Sequence, residues 1–95
     1  MKIINPETII EFVNSRGILQ LETLTRKRSF TVQAIDNCLE FIPSTGKKRR
    51  HSIPKMIKFC EAFNQTKSMS PSSYSAYNTS YLLAIINQME QAEKE

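Results

Sequence analysis

Four cations in succession, Lys47, Lys48, Arg49 and Arg50, followed by His51, are the densest chemical signal in this chain. Like charges held side by side repel, so a fold gains nothing from them unless an anion is near. Arg26, Lys27 and Arg28 form a second cluster, and Ser44, Thr45 and Ser52 flank the first with neutral hydrogen-bonding groups. Phosphate suits such a set, because guanidinium and ammonium groups supply both charge and donors. The expected partner is therefore nucleic acid, DNA first, held by its backbone. If about six of these cations neutralise duplex phosphates, log affinity falls with log salt at a slope of roughly −5. The competing reading is a solvated basic loop that keeps the chain soluble.

Other chemistry finds little support. His51 is the only histidine and has no Asp or Glu near it in sequence to orient it as a base. Gly46-Lys47 lacks the upstream glycine and following Ser or Thr of a phosphate-binding loop. Cys38 and Cys60 form no CxxC pair, so no metal site, cofactor motif or disulfide framework is expected. Asn64-Gln65-Thr66 and Asn78-Thr79-Ser80 match the glycosylation pattern, which matters only in a secreted chain. The longest apolar run, residues 81–86, is far short of the roughly 20 needed to cross a bilayer. A cytoplasmic protein with no catalytic activity, no membrane and no small-molecule substrate is the expectation.

Charge is unevenly distributed. Residues 25–58 hold nine Lys/Arg against Asp36 and Glu40, a balance of +7, while residues 1–24 balance at −1 and 59–95 at −2. Such asymmetry bears on partners and association rate, not on fold.

The elements that must position these residues follow from spacing. Asn5-Pro6-Glu7 starts a helix over about residues 6–15, ended by Gly17. Residues 18–24, 29–35 and 38–42 alternate as strands, with Leu19, Leu21, Phe30, Val32, Ala34, Leu39 and Phe41 on one face. A four-residue loop at 25–28 and a two-residue loop at Asp36-Asn37 put those residues together, Leu21 opposite Val32 and Leu19 opposite Ala34. Ser52 caps a second helix whose buried stripe is Ile53, Met56, Ile57, Cys60 and Phe63. Residues 66–80 read mostly as a Ser-rich loop, although Tyr74, Tyr77 and Tyr81 have helical spacing. A third helix opens at Asn78 or Thr79, buries Leu82, Ile85, Ile86 and Met89, and frays over 89–95.

The result is one α+β domain over 1–95: a three-stranded antiparallel meander with helices on one face, order α-β-β-β-α-α. In that meander loop 25–28 and the end of the third strand share one sheet end. The two basic clusters then become neighbours, beside the N-terminus of the second helix and its macrodipole. The outward face, with Gln20, Glu22, Thr31, Gln33 and Glu40, carries carboxylates that oppose phosphate approach, and Ile18, Leu24, Ile35 and Ile42 there suit a homodimer interface or an extra covering helix at least as well. The tyrosines read first as half-buried packing residues and second as groups that stack bases.

The string LETLTRKRSFTVQAIDNCLEFIPSTGKKRR, with the later YNTSYLLAII, resembles a pattern in small uncharacterised bacterial proteins, some carried on mobile elements such as integron gene cassettes. The likeness spans about residues 21–86 and implies no activity. Asn37 and Thr45 stand where that pattern tends to have Gly and Ser. The resemblance pairs the PSTGKKRR loop with the NTSY helix start, which implies that Asn78, Ser80 and Tyr81 join the basic loop in one site. The expected function is thus a small nucleic-acid-binding protein. The alternative is a homodimeric interaction module docking an acidic protein.

Overall fold

The structure, a computed structural model, describes residues 3–74 and 78–94. Helix α1 (Pro6–Arg16) precedes strands β1 (Ile18–Glu22), β2 (Ser29–Ile35), β3 (Cys38–Pro43) and β4 (Arg49–His51). Helix α2 (Ile53–Thr66), a 3-10 turn (Pro71–Ser73) and helix α3 (Thr79–Lys94) follow. The strands form one antiparallel sheet in the order β1-β2-β3-β4. The class is α+β, but the expected three strands are corrected to four, in the order α-β-β-β-β-α-α. The fourth comes from the basic run itself, Arg49 pairing with Phe41, Arg50 with Glu40 and His51 with Leu39. Two arginines and a histidine carry no apolar alternation, so the usual strand signal is missing there. An edge strand that short needs no such signal, because it leans on its neighbour for both register and burial.

Local chemistry accounts for the rest of the frame. Asn5 Oδ1 accepts from the Thr8 backbone N–H at 2.8 Å, capping α1, and Gly17 ends the helix at φ 75°. Asp36 and Asn37 adopt φ 50° and 59°, the two left-handed positions of a tight hairpin. That turn fixes Ile35 opposite Cys38, Ala34 opposite Leu39 and Val32 opposite Phe41, as the alternation predicts. The first hairpin differs. Thr23 N–H donates to the Arg28 carbonyl at 2.9 Å, so the loop is residues 24–27, one place earlier than expected. Leu21 therefore faces Phe30 and Leu19 faces Val32. Moving the loop by one residue shifts the pairing by two, which leaves every side chain on its expected face.

All three helices pack on that face, over Phe30, Val32, Leu39 and Phe41. From α2 the buried stripe is Met56, Phe59, Cys60 and Phe63 rather than one that includes Ile57, which is 44% exposed. Phe59 takes its place in the core, with its ring on Phe63 and on Tyr74 at centroid distances of 6.1 Å and 5.0 Å. Helix α3 runs on to Lys94, past residue 89 where fraying is expected, and Met89 still packs on the core. The N-terminal segment is tied down by Asn64 of α2, whose amide accepts from Ile4 N–H and donates to Ile4 C=O, each at 2.8 Å. One side chain thereby imitates a strand's backbone pairing.

Removing Asn64 by Asn64→Ala leaves a half-buried N–H and C=O without these partners and should cost about 1–3 kcal/mol. Ile57→Ser, by contrast, should change stability by less than about 0.5 kcal/mol. Urea titration of the two variants beside the parent checks both, and equal losses would contradict the burial described here.

Candidate functional site

A strand alternates its side chains, so the face that carries the core at mid-strand carries something else where the core ends. Past Leu21 and Phe30 that face continues to Thr23 and Arg28, and beside Phe41 it continues to Arg49. Here the sheet outruns the helices and an open cleft of about 650 Å³ remains. One wall is the β1–β2 loop with Thr25, Arg26 and Arg28, together with Arg49 of β4. The other is the Ser-rich segment with Ser70 and Ser72, followed by the start of α3 with Asn78, Ser80 and Tyr81.

Each wall is held by identifiable contacts. Thr23 is buried and anchors the arginine loop three times: its N–H to Arg28 C=O, its carbonyl to Lys27 N–H at 3.1 Å, and its hydroxyl to Arg28 N–H at 3.0 Å. Lys27 takes φ 56° to close that turn. On the opposite side Tyr81 sets its ring against Phe30 and Phe41, with centroids 4.6 Å and 5.1 Å away. Tyr74 rests on Phe59 and donates its hydroxyl to the Ser68 carbonyl. Both tyrosines thus act as packing staples, their rings already engaged, while Tyr77 lies outside the described residues. Helix α3 has no acidic residue in its first turn, so the positive end of its macrodipole adds to the arginines.

Of the residues expected in the site, Arg26, Arg28, Arg49, Asn78 and Tyr81 line the cleft. Lys27, Ser44, Thr45, Lys47 and Lys48 are exposed at the same sheet end but outside it. Arg50 stands apart from the cleft: strand alternation turns it to the other sheet face, where its Nε lies 3.9 Å from Glu40 Oε2. Glu40 also accepts from Gln33 Nε2 at 2.8 Å, so that guanidinium is offset by the protein's own acid. Ser52 also lies outside the cleft. Strand β4 carries the chain about 10 Å away from Arg49, at roughly 3.3 Å per residue, so the helix N-terminus beside the arginines is that of α3, not α2. Ser52 makes no side-chain capping bond. Sequence reasoning missed Thr23, Thr25, Ser70 and Ser72, whose types are common in any loop. None of the cleft-lining residues described is Asp or Glu, and among the described residues no acid pairs with the three cleft arginines.

His51 is not part of an exposed basic loop. It is wholly buried, with its ring 6.0 Å from Phe41 and its Nδ1 3.1 Å from Asn78 Nδ2. The amide can donate only to an unprotonated Nδ1, which puts the ring proton on Nε2, an atom with no hydrogen-bond partner among the described residues. Burial, and secondarily the charge of Lys55, lower the His51 pKa to about 4. Asn78 in turn sits at φ 57°, and its carbonyl accepts from the Tyr81 and Leu82 N–H groups that open α3. A neutral histidine therefore links β4 to the opposite cleft wall.

The sign of the pH effect follows. Unfolded, His51 takes a proton near pH 6.5; folded, it resists until about 4. Its contribution is complete above about 6.5 and is lost as pH falls towards 4, amounting to about 3 kcal/mol. Denaturant titrations across pH 7 to 4 should show this loss in the parent and a shallower one in His51→Gln. Parallel pH profiles would contradict it.

Comparison of the chain with protein-family models, with curated proteins and with solved structures finds no match.

Proposed function

We propose that this protein binds nucleic acid through phosphate contacts made in the cleft. The observation that carries the reading is the meeting of Arg26 and Arg28 from the β1–β2 loop with Arg49 of β4 in one concavity lined by hydroxyl and amide groups and by no described carboxylate. Three exposed guanidinium groups lining one cleft repel one another weakly in water, and an anion bound among them is attracted by all three. Arginine's planar fork suits phosphate oxygens, and Ser, Thr and Asn side chains supply the neutral donors that phosphate contacts commonly use. Lys27, Lys47 and Lys48 extend the positive field at the same end without lining the cleft.

Affinity on this basis is modest, about 10⁻⁴–10⁻⁶ M at physiological salt, and it is sequence-tolerant. Three phosphate contacts give a log–log salt slope of about −2 to −3, shallower than the roughly −5 expected from six cations. A second reading, a homodimeric interaction module, draws on a different surface. Among the described residues no helix covers the outer sheet face, which leaves Ile18 66% exposed and also carries Ile35, Cys38 and Ile42. Gel filtration separates that reading from the first.

Fluorescence anisotropy with a labelled oligonucleotide across a salt series tests the proposal. Arg49→Ala should weaken binding and make the slope less negative by roughly one unit, whereas Lys48→Ala should weaken it less. Arg26→Glu with Arg28→Glu should reduce affinity at least tenfold. Binding that is insensitive to all three cleft arginines would overturn the reading.

A further inference from the structure

The shape of the cleft narrows the class of ligand, an inference that rests on the reading just given. Proteins that enter duplex DNA do so with a projecting element, a helix or two-stranded ribbon that fits a groove about 12 Å wide. Here the relation is reversed. Arg26, Arg28 and Arg49 line the walls of a hollow, and the helix beside them shows the hollow its N-terminal end rather than an exposed flank. A volume of about 650 Å³ falls in the range of clefts that enclose small ligands, roughly 300–1,000 Å³. That is room for one or two nucleotides of a single chain and far too little for a double helix.

Chemistry along the walls fixes which part of the chain goes in. Stacking needs an open aromatic face, and the two cleft tyrosines are half-buried with their rings already packed on Phe30, Phe41 and Phe59, which limits what they offer a base. What remains towards the hollow is a set of donors: three guanidinium groups, the hydroxyls of Thr25, Ser70 and Ser80, and the N-terminal end of α3. Donors without carboxylates on the same walls suit phosphodiester oxygens better than base edges, which present acceptors and donors together.

We infer that the cleft takes a single strand of nucleic acid with its phosphates inward and its bases outward, and that it excludes the duplex. A single strand can turn its backbone into a hollow because its bases are free to splay, whereas the phosphates of a duplex lie on a convex surface fixed by pairing. Preference among base sequences is correspondingly weak.

The test uses the intact chain and three labelled probes at one salt concentration: a dT 12-mer, a dA 12-mer and a closed hairpin duplex without free ends. The expected result is that dT and dA bind within about threefold of each other and at least tenfold more tightly than the hairpin, with Arg49→Ala weakening the single strands. Hairpin affinity equal to or above that of the single strands, lost on Arg49→Ala, would overturn the single-strand inference and leave phosphate binding in the cleft standing. A strong preference for dT over dA would overturn the bases-outward arrangement. Binding to no probe would overturn both this inference and the function on which it rests.

Discussion

Everything at the cleft depends on where Tyr81 places its ring. Set against Phe30 and Phe41, it fixes the start of α3 to the end of the sheet, with centroid distances of 4.6 Å and 5.1 Å. Aromatic burial of this kind contributes area and a defined geometry together. Together with the His51–Asn78 hydrogen bond it sets the donors at residues 78–80 against the arginines on the strands. The contact also divides the inner face of the sheet in two. Below Tyr81 lies the apolar core, and beyond it the same face carries Arg28 and Arg49 into solvent.

Strand alternation does the sorting. Residues that share a face at mid-strand keep sharing it at the strand ends, so Phe41 assigns Arg49 to the cleft side and Glu40 assigns Arg50 to the other. Two adjacent arginines thereby meet opposite electrostatic fates. Arg50 joins Glu40 and Gln33 on the outer face, while Arg49 faces a hollow with no described acid. A run of four cations that looks uniform in sequence is thus divided by geometry into distinct positions. The His51–Asn78 bond ties β4 to the start of α3 on the cleft side, and it holds only while the imidazole is neutral.

Much of this was legible in the chain itself. Alternation and turn chemistry gave the core face and the second hairpin, because Asp36-Asn37 admits few alternatives. The convergence of Arg26 and Arg28 with Arg49 follows from placing two turns at one sheet end. Other features were hidden for physical reasons. Strand β4 draws its register from β3, so no pattern of its own marks it. The Thr23 anchor shifts the first loop by one residue through two backbone bonds open to any residue and one hydroxyl bond open to any Thr or Ser. Ile57 fits the helical stripe on spacing alone, but α2 buries Met56, Phe59, Cys60 and Phe63, and a stripe through Phe59 leaves Ile57 outside.

The most direct test of the convergent cleft follows residues rather than affinity: arginine side-chain and backbone amide resonances recorded by NMR during titration with a short oligonucleotide. The expected result is that Nε–Hε signals of Arg26, Arg28 and Arg49 move together with the amides of Ser70, Ser80 and Tyr81, while Arg50 and the outer-face residues Gln20 and Thr31 stay in place. Perturbations centred on the outer sheet face, or confined to Lys47 and Lys48, would contradict the assignment of the ligand to this cleft.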